Sequence, residues 1–353
     1  MKQTIRLGKL TVRQNQPPII VAELSGNHNQ SLDRALALVH AAHQAGAHAV
    51  KLQTYTADTI TINSKSKAFS INDPKNLWHG RNLYELYQEA HTPWEWHKPI
   101  FDLCEKLDLL CFSSPFDATA VDFLESLDCP CYKIASPENT DTILLKKVAA
   151  TGKPMIISTG MATVAELGNT VDTITQAGCH DYVLLKCTSA YPADPKAANL
   201  ATISHMSQLF NCPVGLSDHT LGTVVAVTSV AFGAVLIEKH FTLSRQEGGV
   251  DSAFSLEPSE LRRLVEETAI ASRSIGGIRY GVTSGENTTL ARRSLFIVKD
   301  LKAGEVLTKS NTVSKRPGFG IPVTFYETVL GMKVVKDIPY GTALTWDLLK
   351  DAL

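Results

Sequence analysis

Ile19-Ile20-Val21-Ala22 is a short β-branched run, Leu32 to Ala45 is rich in alanine and leucine, and Ala47-His48-Ala49-Val50-Lys51-Leu52 is a second run of strand type. Strand, helix and strand in that order make a βαβ unit. The alternation continues through Leu110-Cys111-Phe112, Cys131-Tyr132-Lys133-Ile134, Met155-Ile156-Ile157, Tyr182-Val183-Leu184-Leu185, Val214-Gly215-Leu216 and Val235-Leu236-Ile237-Glu238, which brings the strands to eight. Helix signatures lie between them, such as Thr163-Val164-Ala165-Glu166, a capping box that opens the helix before Tyr182. Eight strands alternating with helices predict an α/β fold of the (β/α)8 TIM-barrel type rather than an open doubly wound sheet.

The longest break in the alternation runs from Tyr55 to about His91, after the second strand. Rich in Asn, Ser, Lys and aromatic residues, it reads as an active-site lid. Within it Tyr84 and Tyr87 stand at i,i+3 spacing, a packing face before a sugar platform. His79, beside Gly80, is a further substrate-contact candidate. After a helix from Pro258 to about Ile275, Gly276-Gly277 and Gly281 break the pattern. The barrel is therefore assigned to residues 1–280. Residues 281–353 are assigned to a linker and a small β-rich domain, in which Lys302-Ala303-Gly304-Glu305 and Pro339-Tyr340-Gly341-Thr342 look like related half-units.

A chain of 353 residues with 44% hydrophobic content can bury one large core plus a small one. Its formal net charge of -1 gives no overall field toward nucleic acid or an anionic membrane, so any anion site must be local. Seven cysteines without zinc-like spacing fit reduced thiols in a cytoplasmic protein. The polar start, Met1-Lys2-Gln3-Thr4-Ile5-Arg6, has no apolar signal core, and no run is long enough to span a bilayer. A cytoplasmic protein with neither nucleic acid nor membrane as partner is expected.

A buried parallel strand is apolar along its length, so polar residues at its C-terminal end need a reason, and in a TIM barrel that end is the active-site mouth. Here the ends read Glu23-Leu24-Ser25-Gly26-Asn27-His28, Lys51-Leu52-Gln53, Ser113-Ser114-Pro115, Lys133-Ile134-Ala135-Ser136, Ser158-Thr159-Gly160, Thr188-Ser189-Ala190-Tyr191, Ser217-Asp218-His219 and Glu238-Lys239-His240. Lys51 and Lys133, with the hydroxyls of Ser114, Ser136, Ser189 and Ser217, suit a ligand carrying a phosphate and a carboxylate. Ammonium groups neutralise the charge and hydroxyls donate fixed hydrogen bonds. A single strand-end lysine is ordinarily a solvated cation; two at one mouth argue for a ligand. Ser158, ending the fifth strand, is placed on the substrate as well. His219 and His240 follow consecutive strands, so both imidazoles reach one side of the mouth and, with substrate oxygen and water, hold one divalent cation in an open site. An isolated histidine would instead be a hydrogen-bonded structural residue. Glu23 and Glu138 are both candidates for proton transfer. Glu138 reads equally as a carboxylate at a helix N-terminus, and Glu238 as a partner that orients a His or Lys.

Taken as a set, Ala22-Glu23-Leu24-Ser25-Gly26-Asn27-His28-Asn29, Lys51-Leu52-Gln53-Thr54, Lys133-Ile134-Ala135-Ser136, Ser158-Thr159-Gly160-Met161, Cys187-Thr188-Ser189-Ala190-Tyr191-Pro192, Gly215-Leu216-Ser217-Asp218-His219-Thr220 and Glu238-Lys239-His240-Phe241-Thr242 closely resemble the sialic acid synthase family. The resemblance continues through Asp251-Ser252-Ala253-Phe254-Ser255-Leu256 to Arg316-Pro317-Gly318 of an antifreeze-like (SAF) domain. It implies condensation of phosphoenolpyruvate with an open-chain N-acylated amino sugar to give a nine-carbon 2-keto acid and phosphate, with Mn²⁺ or Mg²⁺ polarising the sugar aldehyde. By that resemblance His219 and His240 hold the metal, while Lys51, Ser114, Lys133, Ser136, Ser189 and Ser217 hold phosphoenolpyruvate. Glu23, Gln53, Tyr191 and Asp251 face the sugar, and Glu138 activates the water that attacks C2. Ser189 departs from the family, where Asn is frequent.

The lid motifs Trp78-His79-Gly80-Arg81-Asn82-Leu83-Tyr84-Glu85-Leu86-Tyr87 and His91-Thr92-Pro93-Trp94-Glu95-Trp96, with Ser25-Gly26, look like the pseudaminic acid branch. That branch uses a 6-deoxy diacetamido altrose; the alternative is an N-acetylneuraminate or legionaminate synthase using N-acetylmannosamine or a diacetamido mannose-type sugar. The resemblance further implies a domain-swapped homodimer, with Arg316 of one chain reaching a substrate acyl group on the other. On its own Arg316 reads as a turn cation beside Pro317-Gly318. Two rivals stand apart: a metal-dependent aldolase using pyruvate, which releases no phosphate, and a sugar- or ice-binding protein, which needs no ring of polar strand ends.

Overall fold

A computed structural model describes residues 4–74 and 76–350. Met1-Lys2-Gln3 of the polar start, Lys75 of the expected lid and the last three residues of the expected small domain lie outside the described residues. Two antiparallel strands, β1 (Thr4–Leu7) and β2 (Leu10–Arg13), come first. Ile5, Leu7 and Val12 are buried in the core while their neighbours are exposed or half-buried. The turn between the strands packs at the beginnings of barrel strands: a Cβ at Gly8 would lie 2.8 Å from Leu110 Cδ1 and 2.9 Å from Pro130 Cβ. The hairpin therefore sits on the side of the barrel opposite the mouth.

The expected alternation is realised as β3 (Ile19–Glu23), β4 (Ala49–Thr54), β5 (Leu110–Pro115), β6 (Tyr132–Ile134), β7 (Met155–Ser158), β8 (Tyr182–Cys187), β9 (Val214–Asp218) and β10 (Leu236–His240). They are parallel and consecutive, and β10 pairs with β3 to close a barrel. Both faces of these strands are covered, which is why Ile20, Val21, Ile156, Ile157, Val183 and Leu184 are all buried. The helix Leu32–Gln44 shows how the outer layer is specified. Ser31 accepts the Arg34 N–H as its N-cap, and Ala35, Leu38, Val39 and Ala42 form the buried stripe. The predicted capping box of Thr163 and Glu166 is present on Val164–Gln176.

Strand register aligns the polar ends at one level. His240 pairs with Glu23, Glu23 with Lys51, and Glu238 with Ser217. The insertion after β4 forms short helices Ala57–Ile60 and Leu83–Ala90, with Ser70 bridged to Asn82. Among the described residues no helix is long and apolar enough to cross a membrane.

The chain divides into two compact units between Gly276 and Gly277. The second pairs β11 (Ser294–Ile297) with β12 (Thr312–Lys315) and β13 (Lys333–Val334) with β14 (Leu349–Lys350). It has its own core of Leu295, Ile297, Leu301, Leu307, Val329, Ile338 and Leu344. The two half-unit segments face each other through an antiparallel bridge of Leu301 and Ile338, and each turns on a glycine at positive φ, Gly304 and Gly341.

Candidate active site

Four charged side chains at the ends of β3, β4, β6 and β10 form one buried network. Lys51 is ion-paired with Glu23, its Nζ lies 3.7 Å from Glu238 Oε1, and it donates to Ser114 Oγ at 3.4 Å. Lys133 donates to the same Glu238 oxygen at 3.4 Å, and Ser217 Oγ donates to it at 3.2 Å. Neither lysine is a free cation; two carboxylates balance them. Burial raises the Glu23 carboxyl despite Lys51. Burial also pushes Glu238 upward, but Lys133 and Lys51 outweigh it and hold Glu238 below its usual range. Burial lowers Lys133 against the pull of Glu238, whereas for Lys51 the opposing carboxylates win over burial and raise it. Of the two partners suggested for Glu238, the lysines are the ones it contacts.

A second group surrounds Gly160. Ser136 Oγ accepts the Gly160 N–H at 3.0 Å, and a Cβ at Gly160 would lie 2.2 Å from Ser189 Oγ and 2.7 Å from Ser136 Oγ. Only glycine lets these three strand ends converge. Ser158 Oγ is buried and has no hydrogen-bond partner among the described residues. The Asn139 amide donates to the carbonyls of Ser158 and Gly160 and fixes the loop. Hydroxyls and a backbone N–H packed this closely beside Lys133 make a donor-rich cradle.

The two histidines meet as expected of neighbouring strands, with ring centroids 5.3 Å apart. His219 Nδ1–H donates to the Thr188 carbonyl at 2.9 Å, which fixes its tautomer. His240 Nδ1 is buried 3.6 Å from Asp251 Oδ2 and has no hydrogen-bond partner among the described residues. Burial, reinforced by His219, holds His240 well below the ordinary histidine range. A neutral imidazole with an orphaned nitrogen is suited to a metal. No group of three or more His, Cys, Asp or Glu among the described residues is placed to hold an ion. The donor set fits an open divalent site of two imidazoles completed by substrate and water.

Glu138 lies in the turn Pro137–Thr140. The helix that follows, Thr142–Ala149, is capped by Asp141, whose carboxylate accepts the N–H groups of Ile143 and Leu144. Capping is thus done without Glu138, whose Oε2 is buried with no partner among the described residues and whose carboxyl burial pushes up to about 7.

Around the histidines, Tyr191 lies 4.4 Å from His219 and 5.4 Å from Phe254, centroid to centroid. Asp251 contacts Ser25 Oγ, and burial, then Glu23, pushes its carboxyl up to about 7. Ser25 takes φ 47°, a strained left-handed conformation that directs its N–H onto Glu23 Oε1 at 2.9 Å. Gln53 is half-buried and in register with Ser114. His79 is exposed on the lid, Tyr84 donates to Asp58 in an exposed hydrogen bond, and Tyr87 packs edge-on against Tyr55, so of the tyrosine pair it is Tyr87 that packs on a ring. Arg316 is exposed in the second unit, after β12.

Three residues beside these groups were quoted in the sequence motifs but given no role there. Cys187 lies between His219 and the serine cradle. Burial opposes its ionisation, yet bonding to His219 outweighs burial and brings the thiol down to about 7. Its position two residues before Ser189 on a strand end was the available signal. Gly160 carried its signal in following Ser158 directly, and Trp78 in being a large apolar side chain inside a polar lid.

Comparison with known proteins gives a concordant picture. The NeuB family profile matches residues 38–280, and the SAF domain profile matches residues 292–350. The chain is 43% identical to the pseudaminic acid synthase of Helicobacter pylori over 340 residues, 96% of this chain and 99% of that protein. It is 43% identical to the pseudaminic acid synthase of Campylobacter jejuni over 327 residues, 92% and 94% of the two chains. Among solved structures, the N-acetylneuraminic acid (sialic acid) synthetase of Leptospira borgpetersenii superposes with a TM-score of 0.71 at 29% identity, covering 80% of this chain and 93% of that one.

Proposed function

The chain belongs to the NeuB family, and from that premise we propose that it condenses phosphoenolpyruvate with a 6-deoxy diacetamido altrose to give pseudaminic acid and phosphate. The observation that carries this reading is the meeting, at one barrel mouth, of the two-lysine network, the cradle around Gly160 and the paired imidazoles. Lys133, Ser136, Ser158, Ser189 and the Gly160 N–H hold the phosphate, while Lys51, Ser114 and Ser217 take the carboxylate end as Glu23 and Glu238 yield their lysines. C3 of phosphoenolpyruvate bonds to the sugar aldehyde carbon, water adds at C2, and the C2–O bond breaks to release phosphate with the bridging oxygen. A divalent cation, Mn²⁺ or Mg²⁺, held by His219 and His240 supplies Lewis acidity at the aldehyde oxygen. Glu138, poised near neutrality and with its Oε2 unpartnered among the described residues, accepts a proton from the water. Tyr191, Asp251, Gln53 and Glu23 orient the sugar.

The same reading includes a cytoplasmic location, supported by seven buried cysteines without zinc-like spacing, and a domain-swapped homodimer. Ile143, Met161, Val164, Leu221 and Val224 stand exposed just after β6, β7 and β9, an apolar rim that a second chain would cover.

The test follows phosphate release from phosphoenolpyruvate with either the 6-deoxy sugar or N-acetylmannosamine. Turnover is expected with the deoxy sugar, and its loss on chelation or in His219→Ala and His240→Ala. Full activity in either variant would sink the metal assignment, and a clear preference for N-acetylmannosamine the choice of sugar.

A further inference from the structure

Trp78 stands in a lid segment whose ends are tied together: Gly80 N–H donates to the Ile71 carbonyl at 2.8 Å and Ile71 N–H to the Arg81 carbonyl at 2.9 Å. Gly80 makes the turn at φ 82°. Within this closed loop Trp78 is held at three points. Its amide N–H donates to Asn76 Oδ1 at 2.9 Å, its indole N–H donates to the Val250 carbonyl at 3.0 Å, and its ring lies 5.6 Å from that of Tyr191. Val250 precedes Asp251 on the segment after β10, and Tyr191 packs on His219. Behind them Phe254 is fully buried, 4.9 Å from the His240 ring.

An indole has one polar atom, and the Val250 carbonyl occupies it. What remains of Trp78 is apolar ring surface, half-buried and continuous with Tyr191 and Phe254 beside the imidazoles. A C–H-rich group against such a wall gains burial and dispersion, whereas a hydroxyl there loses water and finds no partner. We propose that Trp78 is a specificity-determining residue whose ring face receives the part of the acceptor sugar that lacks a hydroxyl, so that a 6-deoxy sugar is preferred over its hydroxymethyl counterpart. The assignment rests on the synthase reading above.

The test measures phosphate release with Mn²⁺ present from the 6-deoxy diacetamido sugar and from the same sugar bearing a hydroxyl on C6, for the wild type, Trp78→Phe and Trp78→Gln. Phe keeps a ring and loses the N–H; Gln keeps an N–H donor and loses the ring. W78F is expected to retain the preference for the deoxy sugar. W78Q is expected to lose about 10–200-fold in kcat/KM for the deoxy sugar, the range a single apolar contact supplies, with KM for phosphoenolpyruvate unchanged. The proposal is overturned if W78Q keeps the wild-type preference, or if its loss falls equally on both sugars. A W78F enzyme that falls as far as W78Q points to lid anchoring through Val250 and overturns it too. A wild type that releases phosphate with neither sugar overturns the synthase reading and this proposal together, whereas wild-type turnover unaffected in W78Q overturns this one alone.

Discussion

At the scale of single residues, the site is governed by what burial does to charge. Glu138 is the clearest case, its carboxyl moved from 4.5 to about 7 chiefly by desolvation. In the unfolded chain this group loses its proton near 4.5, while the folded protein keeps it until about 7. Between those values the folded state binds more protons, so stability declines as pH rises, and the full penalty is present above about 7. A shift of this size corresponds to about 3 kcal/mol. Glu138→Gln carries no charge and escapes the penalty. It is expected to abolish turnover and yet to be more stable than the wild type by up to about 3 kcal/mol at pH 8, with no difference at pH 4. Urea denaturation at the two pH values measures this, and a stability difference independent of pH would contradict it. The same desolvation raises Asp251 and Glu23, so the mouth stores destabilising carboxyls where a binding site needs them.

At the scale of elements, a buried hydrogen-bond chain joins the lid to the strand ends. His97, whose pKa burial lowers to about 4, is neutral at pH 7. Its Nδ1–H faces the Pro93 carbonyl at 3.3 Å, so Nε2 accepts from Thr54 Oγ1 at 2.8 Å, and Thr54 in turn accepts from Ser113 Oγ at 2.6 Å. Thr54 follows Gln53 and Ser113 precedes Ser114, so the chain sets two site residues. Thr54→Val keeps the shape and strands two buried polar groups. A loss of about 1–3 kcal/mol is expected, read as a lower urea midpoint at unchanged slope, with a raised KM for phosphoenolpyruvate. An unchanged KM would confine the chain to a structural role. Sequence showed this level unevenly. The eight barrel strands were legible because buried parallel strands are continuous apolar runs, and their polar ends stood out against them. The hairpin β1–β2 was not, since four-residue strands that bury only Ile5, Leu7 and Val12 are too short to show a period. The parity of Glu238, Lys239 and His240 was visible, but which face points inward was not. Register decides it, sending Glu238 to Lys51 and Lys133 and Lys239 to Asp218 at 3.0 Å.

At the scale of the whole molecule, a barrel and a small β unit each have a core of their own, so neither needs the other for burial of its apolar side chains. What the second unit contributes must then be sought in function, and Arg316, exposed beyond β12, is the side chain proposed to reach a substrate bound on another chain. The proposed swap makes a prediction that a self-contained subunit does not. Arg316→Ala and His240→Ala, each inactive alone, are co-expressed. In a swapped heterodimer one mouth receives His240 from the first chain and Arg316 from the second, and the other mouth carries both lesions. Random pairing gives heterodimers in half of the molecules, each with one intact site of two, so about a quarter of wild-type activity is expected to return. If Arg316 served the barrel of its own chain, every mouth in every pairing would lack one of the two residues, and no activity would return at any mixing ratio.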